Sequence, residues 1–519
     1  MLRNVASNWM AMLISGVLSI LLTPFLVHGL GDYYYGLWVL VTAVLDYYGL
    51  LDLGMRSTLH SFVGRQSGSR DRAGLNQVLS TALALTIGIA LLLFLAIPAL
   101  LIILPPLFGI SGDSVQEFRK VVGLYALTVA VLFPARGLGA YLCGLQRFDL
   151  YNGAAIVAAI VRAGCLFLAL LTGHGVVAVT AIGLGTAVLS LGLNLAAIRL
   201  VDAGMSLRWR HVSIPCLRSL LAYSFSAFLN TLGDYLRLFT QPAVIASRLT
   251  MSLVTHFNVA AILMSYFRQI VAGLAGPLLP RLSELDGQHN PKAFRHLFLA
   301  STRITVIVSL YLSTMFVFNG DSLFNVWLGS RFASSYSILV ILTVGFLATL
   351  SQYPAVVVLY ARNQHQALGW WTLLEGALNI ALSWIWAPKY GLVGVAWATT
   401  LPMLFTSLFV LPWYATRCAE ITLVSYLRVA FARPFLVVLC FSVIAMAMRT
   451  PGQASGPIGL AFTLTWHSVV FWILMCAIAS TAGEQSRVWK RVLGWRGVSQ
   501  HPRERHSLRP SSGVKTDAL

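Results

Sequence analysis

Eight ionisable side chains lie in stretches that otherwise suit hydrocarbon: Asp46, Asp52, Arg136, Arg162, Asp234, Arg237, Arg268 and Glu375, with Arg56 near the end of one such stretch. On insertion scales each costs roughly 2.5–3.5 kcal/mol at a helix centre, so eight facing lipid would cost on the order of 20–28 kcal/mol. They must face one another, a wet cavity, or both. The chemistry open to them is recognition and charge movement. Arginines hold phosphate oxygens through charge-assisted hydrogen bonds, and a carboxylate in low dielectric can exchange a proton. Nucleophilic catalysis and ATP hydrolysis have no matching residues, since no Walker loop, HExxH, GxSxG or kinase-type set is present. The six cysteines stand singly, without metal or disulfide spacing.

Helical spacing sorts the polar residues into faces. Ser226, Asn230, Asp234, Arg237 and Gln241 fall within an arc of about 80°, predicting one continuous polar stripe down a membrane helix. Asn258, Ser265, Arg268 and Gln269 share one side of a second helix, and Asn8, Ser15 and Ser19 align on a third. Trp371, Glu375, Asn379 and Trp386 align on a fourth, where tryptophans beside a carboxylate would suit a sugar ring. Thr42, Asp46, Gly49, Asp52 and Arg56 fit an arc of about 120°. Asp52 sits four residues before Arg56, the favourable order for an ion pair. Asp46 has no partner on its own helix, so the expected partner is Arg162, Arg237, Arg268 or a proton. Arg136 and Arg162 have no acid near them in sequence and are candidates for an anionic ligand. The bland alternative is that Asp52–Arg56 and Asp234–Arg237 are self-neutralising pairs that hold helices together. It accounts less well for five polar faces. His467 reads as a packed core histidine.

The elements that must position these residues follow from composition. The 519 residues are 58% hydrophobic and 10% charged, with a mean hydropathy of +0.78, far below the charge content of a water-soluble chain. About fourteen apolar spans are expected, near 5–27, 36–56, 77–104, 120–143, 153–173, 175–200, 218–241, 253–279, 298–318, 337–360, 369–387, 391–414, 431–448 and 457–480, each near the ~20 residues that cross hydrocarbon. The formal charge of +19 is topological. With the N-terminus inside, the inner loops hold roughly 26 Lys/Arg and the outer loops roughly 6. Arg65, Arg70, Arg72, Arg208, Arg210 and Arg281 belong to the inner set, whereas GLGDYYYG (29–36) and TGHG (172–175) carry none. Both termini are therefore expected in the cytoplasm, and nucleic acid is an unnecessary partner. The first apolar stretch is too long for a signal peptide and no AxA-like cleavage site follows it, so it is read as a retained span. The segment from Gly483 is basic and polar, and its composition predicts disorder, with SRVWKRVLGW able to lie on an anionic leaflet.

Three sequence pairs share nearly one offset. GHGVVAVTAIG (173–183) matches KYGLVGVAWAT (389–399), placing Gly175 on Gly391; LTPFLV (22–27) lies on TQPAVI (240–245), placing Pro24 on Pro242; YLCGLQRF (141–148) corresponds loosely to VLYARNQHQ (358–366). The pattern predicts two copies of a six-helix unit in the same orientation. The expected organisation is a lobe over 1–201, a second over 202–416, two additional helices over 417–482 and the basic tail over 483–519. The fold class is an all-α polytopic membrane protein with a V-shaped central cavity between two parallel six-helix repeats.

Several of these segments resemble a known family. Pro24, Leu30-Gly31, Tyr35-Gly36-Leu37, Asp52-Leu53-Gly54, the GLQRF segment (144–148) and the KYGLVGVAWAT turn are similar to elements of Wzx-type polysaccharide flippases. These form a branch of the multidrug/oligosaccharidyl-lipid/polysaccharide exporter (MOP) superfamily. The resemblance covers most of the chain, but not the tail. It implies a non-enzymatic transporter of the bacterial inner membrane. Such a protein moves an undecaprenyl-diphosphate-linked oligosaccharide outward by alternating access, for O-antigen or exopolysaccharide synthesis. Relatives that move the lipid-linked peptidoglycan precursor carry cavity arginines on spans 1, 2 and 8. Arg56 and Arg268 occupy comparable places here, but span 1 has no arginine beyond Arg3, which argues against that cargo.

The expected cavity residues are Arg56, Arg162, Arg237, Arg268, Asn8, Asn230, Gln241, Asn258, Gln269 and Trp371. Asp46, Asp52, Asp234 and Glu375 are expected to pair charges or to couple transport. No cofactor is expected beyond a coupling proton or sodium ion, or the membrane potential. Expected partners are the lipid-linked oligosaccharide, membrane lipids, a polysaccharide polymerase and a chain-length regulator. The competing readings are a cation-coupled multidrug exporter of the same fold and a membrane glycan polymerase or ligase. The latter would need a large external loop, and no connection between spans is that long.

Overall fold

The computed structural model describes residues 2–52, 59, 62–63, 72–202, 209–275, 278–362, 364, 366–447 and 456–479. Arg56 and the tail from Gly483 lie outside the described residues, as do the side chains of Asp52, Ser226 and Asn230. Every element among the described residues is helical. That follows from the solvent: in hydrocarbon each backbone N–H and C=O must be satisfied within the segment, which a helix does locally. The long helices are α1 (Leu2–Asp46), α2 (Arg72–Leu107), α3 (Ser114–Gly144), α4 (Phe148–Leu171), α5 (Val176–Val201), α6 (Ile214–Leu238), α8 (Met251–Ala275), α10 (Pro291–Trp327), α11 (Ala333–Ser351), α13 (Gln366–Phe405), α16 (Arg433–Ala447) and α17 (Pro457–Leu474). Shorter helices intervene: α7 (Gln241–Arg248), α9 (Leu278–Gly287), α12 (Tyr353–Ala361), α14 (Leu411–Ala419) and α15 (Leu423–Leu427).

Among the described residues eleven helices are long and apolar enough to cross a membrane, fewer than the fourteen spans expected, for an identifiable reason. Two of the eleven, Ala6–Leu50 and Ala367–Ala419, are each broken by a glycine with non-helical dihedrals. Gly31 has φ 75° and ψ 165°, and Gly391 has φ 58° and ψ −143°. Glycine adopts such angles without the steric penalty of a Cβ. Each break stands where the sequence predicts a turn between spans. The polar helix α6 is not among the eleven.

Within the N-terminal half, α3 lies against α2 and α5, and α1 against α4. Within the C-terminal half, α6 lies against α13, and α11 against α8, α10 and α13. The pair α16 and α17 packs on α10, closing an apolar cluster around Phe441 and Phe471. There His467 is buried with its Nδ1 2.9 Å from Asn319 Oδ1, the packed histidine expected. Large apolar side chains such as Leu95, Leu168, Ile458 and Phe462 point outward, as suits a lipid-facing surface.

The two halves meet chiefly through α1 and α8. Tyr35, Val39, Val254 and Phe257 belong to one apolar cluster that runs across both. Gly36 permits that approach, because a Cβ on it would stand 2.2 Å from the Met251 carbonyl oxygen. Backbone cannot yield as a side-chain tip can, so a methyl group here must push the helices apart. Gly36→Ala is expected to lower the melting temperature of the detergent-purified protein, at an overpacking cost of about 1–3 kcal/mol. An unchanged melting curve would show that the two helices have room to separate.

Candidate functional site

The second half of α1 brings Val39, Thr42 and Asp46 to one wall of a cavity of about 220 Å³ between the two halves. The opposite wall comes from α8, with Phe257, Asn258, Ser265 and Arg268, and from the α6–α7 corner with Leu238, Phe239 and Gln241. Leu342 and Phe346 of α11 and Thr399 of α13 complete it. Of the four residues that spacing places on one face of α8, Asn258, Ser265 and Arg268 line this cavity and Gln269 does not. Asn258 Nδ2 donates to Tyr35 Oη at 3.2 Å, a polar tie across the halves. Arg268 has no hydrogen-bond or ion-pair partner among the described residues.

Asp46 faces this cavity with its carboxylate held from behind. Its Oδ1 accepts a hydrogen bond from Tyr125 Oη of α3 at 3.0 Å, so the direct partner is a tyrosine hydroxyl and none of the three arginines expected. Arg136 acts electrostatically on both Asp46 and Tyr125, and Arg162 of α4 acts on Tyr125. Arg136 also reaches the junction, since a Cβ on Gly49 would lie 3.7 Å from its Nη1 and 2.6 Å from Tyr235 Oη. The neighbouring Tyr47 hydroxyl is bonded to Thr240 Oγ1 and donates to the Tyr235 carbonyl at 3.2 Å. Tyr125 gave no signal in the sequence, because one tyrosine in a span is ordinary packing material.

A second cavity of about 390 Å³ lies within the C-terminal half. Asp234, Arg237, Arg268, Gln269, Tyr353, Tyr360, Thr372, Glu375 and Ser407 line it. Arg237 Nη2 donates to Asp234 Oδ1 at 2.8 Å, the i,i+3 pair expected. Its Nη1 reaches both oxygens of the buried Glu375, at 3.5 and 3.4 Å. One guanidinium thus serves two carboxylates. The requirement that a buried ion be paired outweighs any role for Arg237 in an open cleft. It is one of the ten residues expected at the central cavity, and it belongs to this second cavity. Gln269 goes with it.

The stripe predicted on α6 is not continuous. The helix stops at Leu238, and Gln241 opens α7. The break leaves the Arg237 carbonyl without its usual partner, and two side-chain amides take it: Gln241 Nε2 at 2.6 Å and Asn379 Nδ2 at 2.8 Å. Gln241 also reaches Thr399 Oγ1 at 3.3 Å. Three further expected residues, Arg162, Asn8 and Trp371, line neither cavity. Asn8 accepts from Asn152 Nδ2 at 2.6 Å, a tie between α1 and α4. Trp371 stands 6.3 Å from Phe405, ring centre to ring centre, and lines neither cavity.

At the end of the molecule marked by the Gly31 break, charges tie the halves together again. Asp32 lies between Arg331 Nη2 at 3.5 Å and His256 Nε2 at 3.7 Å. Its backbone carbonyl accepts from Thr255 Oγ1 at 2.6 Å, and the His256 ring rests 4.6 Å from that of Phe332. Loop residues of both signs were unremarkable in the sequence, which cannot show which loops meet.

Comparison with known proteins agrees with this architecture. A family model described as "Polysaccharide biosynthesis protein" matches residues 30–337. The chain is 21% identical over 421 residues to the uncharacterized membrane protein EpsK of Bacillus subtilis (strain 168), covering 80% of this chain and 83% of that one. Among solved structures it superposes on lipid II flippase MurJ in an inward closed conformation with a TM-score of 0.70 at 13% identity, covering 95% of this chain and 100% of the other. It also superposes, with a TM-score of 0.70 at 16% identity, on an inward-facing multidrug resistance MATE family transporter of the MOP superfamily, covering 78% and 95%. The fold is that of the MOP superfamily.

The amide pair on the Arg237 carbonyl carries its own test. Asn379→Ala withdraws one of the two donors from a buried carbonyl next to the Asp234–Arg237–Glu375 group. It is expected to cost about 1–3 kcal/mol, read as a lowered melting temperature. No change would mean that Gln241 alone satisfies that carbonyl.

Proposed function

Since the chain belongs to the polysaccharide biosynthesis protein family, we propose that it carries a lipid-diphosphate-linked oligosaccharide, undecaprenyl-linked in bacteria, from the inner to the outer leaflet of the cytoplasmic membrane. The observation that carries this reading is Arg268. It is an arginine with no ion-pair partner among the described residues, placed with Asp46 on a cavity between the two halves of a membrane protein. An uncompensated guanidinium inside a membrane favours an anion, and a diphosphate offers the oxygens that a planar fork binds best. Arg136 and Arg162 line neither cavity and act electrostatically on Tyr125, the partner of Asp46. Asn258, Gln241 and Thr42 supply the neutral polar contacts a glycan needs.

The organisation proposed is two six-helix lobes, 1–201 and 202–416, with the hairpin 417–482 appended, rocking about the central cavity. Both termini face the cytoplasm on the loop-charge argument. The Asp32 end is then the outer side, and the contacts of Asp32 with His256 and Arg331 close it while the cavity loads from within. A proton or sodium gradient, or the membrane potential, drives the cycle. A polymerase and a chain-length regulator act on the product.

A multidrug exporter of the same fold is the second reading. The unpaired Arg268 counts against it, because a cationic drug would be repelled from that wall. A glycan polymerase or ligase is disfavoured by the short connections between helices.

Two measurements test the proposal. Depleting the protein should trap the lipid-linked glycan on the inner face of the membrane; accumulation on the outer face would assign it to a later step. Arg268→Ala should reduce export about ten- to hundredfold, the worth of a lost hydrogen bond to a charged group, with membrane abundance unchanged. Closure of the outer side is tested separately. Asp32→Asn should increase labelling of a cysteine placed at Ser334, in a background lacking the native cysteines, by a membrane-impermeant maleimide. Equal labelling rates would show that the Asp32 contacts do not hold that side shut.

A further inference from the structure

Two arginines of the appended hairpin stand on its lipid side. Arg428 and Arg433 lie in the first half of the span Leu423–Ala447, and both are exposed. Neither has a hydrogen-bond or ion-pair partner among the described residues. In an α-helix, residues five apart point about 140° away from each other, at 100° per residue. Here Arg428–Ala432 forms a π-helical turn between α15 and α16, closed by i→i+5 hydrogen bonds, which brings residues five apart close to one face. The cause is local. Pro434 follows two residues later and has no N–H to return to the preceding turn. Another π-turn, Thr406–Val410, also ends two residues before a proline, Pro412. The far side of this helix, through Tyr426, Ala430, Val437 and Phe441, is buried. The side that carries the arginines continues as Leu436, Leu439 and Val443, which are half exposed or more.

The contacts of α10 show which end of the hairpin this is. Near its start, Arg295 reaches the Ala419 carbonyl at 3.1 Å and Glu420 at 2.5 Å. At its other end, Trp327 donates to the Ile20 carbonyl at 2.8 Å, and Arg331 just beyond meets Asp32. With Asp32 on the outer side, as the orientation proposed above has it, the corner at 419–420 is inner. Arg428 and Arg433 then stand about 8 and 15 Å beyond Leu423 along the helix, from where long side chains extend back to the headgroup level. A guanidinium facing hydrocarbon is costly unless an anion meets it. The helix packs on α10 and α17, and neither of those lines the central cavity, so the anion is a resident of the leaflet and not cargo in the cleft. Resting on that orientation, we propose that Arg428 and Arg433 form a binding site for an anionic phospholipid of the inner leaflet. Its phosphate is held between the two guanidiniums by charge-assisted hydrogen bonds, and its acyl chains lie along Leu436, Leu439 and Val443. The bound lipid fixes the depth at which the hairpin sits against α10.

The experiment is native mass spectrometry of the full chain, purified in detergent and supplied with phosphatidylglycerol or phosphatidylcholine. The native chain should retain phosphatidylglycerol in preference to phosphatidylcholine. Arg428→Gln with Arg433→Gln should weaken that retention about thirtyfold, and each single variant about fivefold; the single variants cover the case in which the double one fails to fold. Arg428→Lys with Arg433→Lys keeps both charges and should lose no more than a few fold. Arg281→Gln with Lys292→Gln removes equal charge from the α9–α10 corner and should leave retention unchanged. Neither inorganic phosphate nor farnesyl-diphosphate-linked N-acetylglucosamine should displace the phospholipid. Undiminished retention in the Gln variants, or equal retention of phosphatidylcholine, would overturn the site. So would equal loss in Arg281→Gln with Lys292→Gln, which would mark attraction by net charge alone. Displacement by the farnesyl diphosphate would make it a place for cargo, and displacement by phosphate a site for the free ion; either overturns the phospholipid assignment. Transport plays no part in this binding measurement, so the depletion and Arg268→Ala experiments decide the flippase reading separately.

Discussion

An arginine buried in a membrane helix must bring its counter-charge with it, and the C-terminal half is arranged around that requirement. Arg237 meets Asp234 one turn away on its own helix and Glu375 on α13. The break after Leu238 turns the chain so that the freed Arg237 carbonyl meets Asn379 and Gln241. Glu375 and Asn379 lie one turn apart on α13, and together they hold the side chain and the backbone of the same residue. Because removing one member would leave a buried charge or an open carbonyl, the group fixes how α6 and α13 sit against each other.

The N-terminal half solves a similar problem with a neutral donor. Asp46 is kept in place by Tyr125 and sits in the field of Arg136, so it faces the cleft without a tight ion pair. Between these two arrangements lies Arg268, on both cavities and without a hydrogen-bond or ion-pair partner among the described residues. One half pairs Arg237 with two carboxylates, and the other holds a carboxylate by a tyrosine hydroxyl. That distribution puts one carboxylate, Asp46, and one guanidinium, Arg268, on the central cavity.

The fold supports this by leaving the cleft as the main place where the halves are not sealed. Toward the Gly31 break they are joined by apolar packing, by the close approach at Gly36 and by the contacts of Asp32. Polar and aromatic ties at Tyr47, Tyr235 and Thr240 join them again beside the cavity.

Much of this was legible in the sequence, because the solvent imposes it residue by residue. Apolar length marks the spans, loop charge gives their expected orientation, and helical periodicity put Asn258, Ser265 and Arg268 on one face, which is the face that lines the cavity. The Asp234–Arg237 pair was legible for the same reason, since three residues along a helix are neighbours whatever the fold. The remainder depended on which helices meet. Tyr125 lies 79 positions from Asp46, and Glu375 lies 138 positions from Arg237; no periodicity connects such pairs. The same is true of Asn8, which reads as a cavity residue from its face and is taken by Asn152, and of Trp371, which lies beside Phe405. By itself the sequence determined that this chain fills a membrane with helices carrying polar faces, because burial in lipid is decided locally. Only the tertiary structure decided which of those charges neutralise one another and which lie on the cavity between the halves, because charge balance is a property of helices brought together.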